Sequence, residues 1–171
     1  VRLWETGKGW TLNFAPQGGT VADLQWSKNG QRFLSAAHGG VWLFSLEAEQ
    51  PEKKFEWKGS PLCLAWSPDS QYIATGEQDA TVHLYIVSTR EDLRMTGYES
   101  KVRALAWDPS GRALATSGGS AITVWDCSGD GPEGSEPARL EGHGDLVTTL
   151  FFSRDGRRMY SGGRDGAVIE W

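Results

Sequence analysis

Residues 161–171 read SGGRDGAVIEW, and the roles of Ser161, Asp165 and Trp171 in that stretch become readable once the same pattern is found upstream. The segments WSKNGQRFLSA, WSPDSQYIATG, WDPSGRALATS and FSRDGRRMYSG begin at Trp26, Trp66, Trp107 and Phe152, spaced by 40, 41 and 45 residues. A second series, VRLW, VWLF, VHLY, ITVW and VIEW, ends at Trp4, Phe44, Tyr85, Trp125 and Trp171, spaced by 40, 41, 40 and 46. Two independent markers keep one period, which is the signature of a repeat architecture. The longer last period is accounted for by SGDGPEGSEP at 128–137, whose Gly, Ser and Pro content reads as an exposed loop.

Each period resolves into four short strands by alternation and turn chemistry. In the third, VRALAW (102–107) leads through the turn DPSG to RALATS, then past a glycine break to ITVW, and ARLE (138–141) supplies the last strand. The turns SPDS, DPSG and SRDG have the residues of a type I turn: Asp or Ser first, Pro next where it fits, Gly or Ser to finish. The first strand carries small residues at matched inward positions, Cys63 and Ala65 or Ala104 and Ala106, which suits a strand crowded against an axis. Repeats without helices, each forming a small sheet, point to radial blades and an all-β fold.

Composition agrees. Nine tryptophans and 22 glycines among 171 residues match many short elements, each with a large apolar anchor and a tight turn. The length is that of one domain or of a piece of a larger one. A net charge of −5 argues against nucleic acid as the main partner, because phosphate contact needs a basic surface. The two cysteines make no disulfide framework, and no apolar run has membrane-spanning length or the form of a signal peptide, so a cytoplasmic setting without membrane partners is expected.

These residues resemble the Trp-Asp (WD) repeat β-propellers, on GH at 142–143, SGGRDG at 161–166, the pair Trp125–Asp126 and the period of about forty residues. The resemblance implies four-stranded antiparallel blades, about four of them here, within a ring of about seven blades or roughly 300 residues. The division expected is the end of one blade and its outer strand at 1–20, blades at 21–57, 58–98 and 99–141, and a blade lacking its outer strand at 142–171. Three completions of the last blade stay open: pairing of VIEW with the strand near Trp10 to Phe14, a self-complementing dimer through open blade edges, or a larger parent ring.

The family pattern also implies a buried hydrogen-bonded tetrad in each blade, which carries across to His143, Ser161, Asp165 and Trp171 in the last repeat. The second repeat has Trp57 in place of the His, then Thr75, Asp79 and Tyr85. The third has Tyr98, Ser117 and Trp125 with its turn shortened to GGSA, and the first, around AAHGGVWLF, lacks both His and Asp, which leaves these three blades to packing.

A serine, a histidine and an aspartate that meet in space invite a catalytic reading. The repeats argue for a structural one instead, because the serine position persists as Thr75 and Ser117 while the supposed base becomes Trp57 or Tyr98. No GxSxG elbow accompanies them. GKGW (7–10) and GDGPEG (129–134) lack phosphate-loop spacing, and His38, His83 and His143 stand on different repeats without CxxC or HExxH, so neither a cofactor nor a metal is expected. His83 reads as a satisfied strand histidine, Cys63 as a small core residue and Cys127 as partly exposed at a loop entrance.

Surface recognition remains. In the family the usual partner face is the narrower end, which places Thr20, Ala22, Ser60, Leu62, Lys101, Arg103, Leu146 and Thr148 there, with Gln78 and Arg164 each preceding a turn Asp. Lys101, Arg103 and Arg164 form a basic cluster on an acidic chain, suited to acidic groups of a partner peptide or protein; a solvated rim is the competing reading. The resemblance thus implies a non-catalytic interaction scaffold, with a sensor or regulatory propeller of a larger enzyme or signalling protein as the alternative.

Overall fold

The computed structural model describes every residue except Lys8, Trp10 and Asp130, and among the described residues every helix or strand is a strand. A hairpin of β1 (Arg2–Trp4) and β2 (Thr11–Asn13) comes first. Three four-stranded antiparallel sheets follow. The first contains β3 (Val21–Trp26), β4 (Arg32–Ala37), β5 (Gly40–Ser45) and β6 (Lys53–Glu56). The second contains β7 (Pro61–Trp66), β8 (Tyr72–Glu77), β9 (Val82–Ile86) and β10 (Asp92–Met95). The third contains β11 (Ala104–Trp107), β12 (Ala113–Ser117), β13 (Ile122–Asp126) and β14 (Ala138–Leu140). A last sheet has β15 (Val147–Phe152), β16 (Met159–Gly163) and β17 (Val168–Glu170). Each sheet is a simple meander, so strands adjacent in sequence are adjacent in space. This is a partial β-propeller.

The core lies between the sheets. Leu34, Leu43 and Phe55 of the first sheet meet Leu64, Ile73 and Tyr85 of the second, and Ala104 and Ile122 of the third meet Leu150 and Met159 of the last. A middle sheet is therefore buried on both faces, which is why β8 has no exposed residue and reads as a continuous run instead of an alternating one. Each large aliphatic or aromatic side chain enclosed in this way contributes on the order of 1.5–3 kcal/mol. The outward faces of the first and last sheets carry the exposed apolar residues Leu24, Trp26, Phe151 and Val168.

The inner strands β3, β7, β11 and β15 lie side by side without sharing a ladder, and side chains bridge them instead. Asp23 accepts from the Leu64 amide (2.9 Å), Gln25 accepts from the Trp66 amide, and the Trp107 indole donates to the Ala65 carbonyl (3.2 Å). The hairpin is a separate two-stranded sheet packed against the first: Leu3 and Leu12 meet the Phe14, Phe33 and Phe44 cluster, in which Phe14 meets Phe33 edge-on at 4.8 Å between ring centres and Phe33 stacks on Phe44 at 5.0 Å. That packing decides one of the open completions. Thr11–Asn13 pair with Arg2–Trp4 and not with β17, so among the described residues the start of the chain does not close the last blade, and Trp10 lies outside those residues.

The turns between first and second strands share one geometry. The amides of Gly30, Ser70, Gly111 and Gly156 donate to the carbonyls of Ser27, Ser67, Asp108 and Ser153 at 2.9–3.0 Å. The fourth residue then takes a positive φ of 68°, 63°, 76° and 70° in turn. Three of the four are glycine, as a left-handed residue after a type I turn requires. Ser70 pays that steric cost with a side chain. Ser70→Gly is expected to raise stability by up to about 1 kcal/mol in urea unfolding, and Gly111→Ala to lower it; an unchanged or reduced midpoint for Ser70→Gly would contradict the strain.

Candidate functional site

In the last sheet the structure brings His143, Ser161, Asp165 and Trp171 together. The His143 ring meets Ser161 Oγ through Nε2 at 2.7 Å and both Asp165 oxygens through Nδ1 at 3.0 and 3.1 Å. The Trp171 indole donates to Ser161 Oγ at 2.9 Å. Asp165 also accepts from the amides of Ala167 (3.0 Å) and Gly144 (2.8 Å), and these bonds, with the His143 ring, hold its carboxyl below the ordinary aspartate range. The local sequence makes room for this. A Cβ at Gly163 would stand 2.6 Å from both His143 Nδ1 and Asp165 Oδ1, so only glycine admits the ring at that position.

The arrangement resembles a hydrolase triad in its membership and differs from one in its access. Ser161 is 1% exposed and its oxygen already accepts from Trp171, so a substrate carbonyl has no path to it. The thiols are equally withdrawn. Burial pushes Cys63 up to about 12 and Cys127 likewise up to about 12, far from the range of a reactive thiolate. Cys127 corrects an expectation: it is 4% exposed and packed with Leu114, whereas Cys63 is the more accessible of the two. Among the described residues no group of three His, Cys, Asp or Glu is placed to hold a metal ion.

The other sheets are not left to packing alone, as their missing tetrads had implied. The hydroxyl that corresponds to Ser161 sits opposite a leucine of the inner strand in every sheet, in the pairs Leu24–Ser35, Leu64–Thr75, Leu105–Thr116 and Leu150–Ser161. In the third sheet that residue is Thr116 and not Ser117. Thr116 Oγ1 bonds Tyr98 OH at 2.7 Å, and the Trp125 indole donates to that hydroxyl at 3.0 Å. Ser117, one position on, faces the other way and donates to the Ala121 carbonyl (2.9 Å), closing the shortened turn. In the first sheet Ser35 donates to Gln17 Oε1 at 2.8 Å, with Gln17 itself buried.

The second sheet substitutes an acid. Thr75 donates to Glu77 Oε1 at 2.7 Å, and Glu77 occupies the position that Gly163 holds in the last sheet. A histidine there would exclude the side chain. Trp57 instead packs at a tilt against His83, ring centres 3.9 Å apart, with the Arg94 guanidinium over its face. Asp79 turns outward to Thr81 (2.6 Å) and Arg94 (3.4 Å), and His83 is bonded to Asp92 at 2.8 Å. The second oxygen of Glu77 is buried with no hydrogen-bond partner among the described residues, and burial pushes this carboxyl above its usual range. Gln17, Glu77 and Thr116 were all missed in the sequence. The signal for Thr116 was available, since Ser35, Thr75, Thr116 and Ser161 each lie nine residues after the aromatic that ends the inner strand.

Five of the ten residues expected on the partner face, Leu146 among them, converge. Lys101, Arg103, Thr148 and Arg164 line one cleft of about 250 Å³ between the third and last sheets, with Leu146 and Val147 at its apolar side. Backbone bonds hold it in shape, from Val147 to Gly119 (2.9 Å) and from Arg164 to Leu146 (2.8 Å). Gln78 lies one repeat back, outside this cleft, its amide on the Ser60 carbonyl at 3.2 Å. Thr20 and Ala22 stand exposed at the start of β3.

A family model described as WD domain, G-beta repeat matches three segments, residues 50–85, 91–126 and 134–171. The chain belongs to the WD-repeat family. Each matched segment ends at or just after a third-strand aromatic, Tyr85, Trp125 or Trp171, and the repeat that runs through Ser35 lies outside all three. That is the repeat in which Gln17 stands opposite the buried hydroxyl. Among curated WD-repeat relatives, the chain is 28% identical to the APC/C activator protein CDH1 of Saccharomyces cerevisiae, over 88% of this chain and 27% of that protein. It is 30% identical to actin-interacting protein 1 of Drosophila melanogaster, over 88% of this chain and 26% of that protein. It is 29% identical to the anaphase-promoting complex subunit cdc20 of Dictyostelium discoideum, over 86% of this chain and 30% of that protein. The chain therefore spans under a third of the length of these relatives.

Substitutions at two positions probe these networks. Ser161→Ala strands the His143 and Trp171 ring nitrogens and is expected to cost about 1–3 kcal/mol of unfolding free energy. Ser161→Thr should retain most of the stability, because threonine fills the same position at Thr75 and Thr116; an alanine variant as stable as the parent would remove the structural role. Glu77 has the opposite pH signature to Asp165. Its folded-state pKa is raised, so its stabilising contribution is complete below the ordinary glutamate pKa and is lost as pH rises through the folded value. Glu77→Gln keeps an acceptor for Thr75 and should gain stability relative to the parent between acidic and neutral pH, read as the difference in denaturation midpoints across that range. A gap that is flat with pH would show that Glu77 titrates alike in the folded and unfolded chain and would remove the raised pKa.

Proposed function

We propose that this WD-repeat chain is a non-catalytic interaction scaffold that docks protein or peptide partners on the end of the propeller where the inner strands begin. The observation that carries this reading is the cleft lined by Lys101, Arg103 and Arg164, three exposed cations that make no ion pair among the described residues. Gln78 and Thr148 extend the same face. On a chain of net charge −5 such a concentration of uncompensated positive charge is a selective feature, suited to acidic groups on a partner. The catalytic alternative has little support, because the Ser161 hydroxyl is enclosed and both thiols are buried or pushed up in pKa. The relatives agree with an interaction role: one is named as interacting with actin and two are named as an activator or subunit of one complex.

The names of those two also favour a second reading, in which the propeller is the regulatory part of a larger assembly whose chemistry lies elsewhere. In both readings the chain contributes part of a larger ring and works in the cytoplasm. Among the described residues no helix is long and apolar enough to cross a membrane, and both cysteines are free thiols.

The test is recovery of partners by the full-length parent protein from cell extract, comparing the parent with a Lys101→Glu, Arg103→Glu, Arg164→Glu variant. Partner recovery should fall at least several-fold at matched thermal stability. Equal recovery of every partner from both would discard this face as the docking surface.

A further inference from the structure

Among the described residues six buried side-chain polar atoms have no hydrogen-bond partner, and three of them share one face of the second sheet: Glu77 Oε2, His83 Nε2 and Tyr85 Oη. The strand register gathers them. His83 pairs with Thr75 and Tyr85 with Ile73, and side chains two residues apart on a strand point the same way, so Thr75, Glu77, His83 and Tyr85 all look toward the first sheet. That sheet meets them with Leu34, Val41, Leu43 and Phe55, which offer no polar group. All four residues are at most 2% exposed. The remaining unpartnered atoms stand apart. Trp57 Nε1 is turned against Gly59, where it occupies the space a Cβ would take, Trp66 ends its strand opposite Ile73, and Gln17 serves the first sheet.

The bonds already made define what each atom can still do. Thr75 gives its one hydroxyl proton to Glu77 Oε1 at 2.7 Å, which leaves the lone pairs of Oγ1. The part-exposed Asp92 carboxylate meets His83 Nδ1 at 2.8 and 2.9 Å, so the neutral ring carries its proton there and Nε2 is an acceptor. Tyr85 holds the third-strand position of Trp125 and Trp171, whose indoles reach the buried hydroxyls Thr116 and Ser161 directly, at 3.3 and 2.9 Å. A phenol carries its O–H at a different place from an indole N–H, and here it comes beside Thr75 without bonding to it. Burial, with the Asp92 and Glu77 carboxylates nearby, pushes this phenol above its usual range, and the His83 ring acts on Glu77 in turn. The three atoms are therefore neighbours, and none is bonded to another.

Buried polar groups that are close without touching are joined in proteins by enclosed water, which makes two to four hydrogen bonds where it is held. A single water satisfies all three atoms in either charge state of Glu77. With the carboxyl protonated, it accepts from Glu77 and Tyr85 and donates to His83 Nε2 and Thr75 Oγ1. With the carboxyl ionised, it donates to Glu77 and His83 and accepts from Tyr85. A metal ion fits less well, since among the described residues no three His, Cys, Asp or Glu converge. We propose that the second sheet encloses a binding site for one water molecule, held by Glu77, His83, Tyr85 and Thr75, which does for this sheet what the His143 ring does for the last. The water ties the buried hydroxyl on β8 to the third-strand aromatic on β9 and, through the His83–Asp92 bond, to the outer strand β10.

The experiment is a crystal structure of the full-length parent protein at a resolution that shows ordered solvent. A single density peak should stand at about 2.6–3.2 Å from each of Glu77 Oε2, His83 Nε2 and Tyr85 Oη. No peak, a peak that touches only one of the three, or direct bonds among them would overturn the proposal. Contacts of about 2.3–2.6 Å would do the same, because they are those of a calcium ion. In solution, water oxygen-17 relaxation dispersion counts long-lived internal waters. Tyr85→Trp restores the indole that bonds the buried hydroxyl directly, and it should lower that count by one relative to the parent protein. An unchanged count in a folded variant overturns the site. Should the larger indole prevent folding, the crystal structure of the parent protein decides alone.

Discussion

A hydroxyl buried in the middle of each sheet has to find a hydrogen-bond partner, and much of the arrangement follows from how that demand is met. Ser35, Thr75, Thr116 and Ser161 sit on second strands opposite a leucine, with essentially no access to water. Left unpaired, each would cost on the order of 1–3 kcal/mol. The partners are Gln17, Glu77, Tyr98 and His143, and three of these four lie in the segment that leads into an inner strand. Satisfying the hydroxyl therefore also pins the incoming chain to the sheet. The Trp125 and Trp171 indoles complete two of the networks from the third strand.

The four solutions are chemically different but sterically linked. His143 fits because residue 163 is glycine, and Glu77 at the corresponding position of the second sheet fits because the approach segment there carries Trp57, which packs at a tilt against His83. One site uses a small residue with an imidazole, the other an acid with an indole. The polar groups that look most like chemistry in this chain are thus consumed by architecture, and the side chains left free for a partner stand at the ends of the inner strands. There one backbone bond between the third and last sheets, from Val147 to Gly119, and one within the last, from Arg164 to Leu146, fix the segments that carry Lys101, Arg103 and Arg164 around one opening.

Much of the architecture was legible in the chain because repetition makes errors visible. A period near forty residues, a turn of Ser or Asp followed by Gly, and a third-strand aromatic recur independently, and each strand of the third repeat falls within two residues of its expected position. The membership of the His143, Ser161, Asp165 and Trp171 network was also readable, since every member carries a motif residue. The substitutes were not. Gln17 and Glu77 are ordinary residues in unremarkable positions, and choosing Ser117 over Thr116 was a one-residue slip between two hydroxyl residues on opposite faces of the same strand. Cys127 looked accessible because it follows an exposed Asp at a loop entrance, yet the neighbouring sheet covers it.

Periodicity and turn chemistry are local properties, and they were enough to establish an all-β repeat of four-stranded sheets, its strand order and the aromatic anchors. Which buried hydroxyl bonds which partner, where the hairpin docks, and which three cations share a cleft depend on residues far apart in the chain meeting across sheet boundaries. Those contacts are set by packing volume and by the need to satisfy buried polar atoms at sheet boundaries, and neither is written in the pattern of a single repeat.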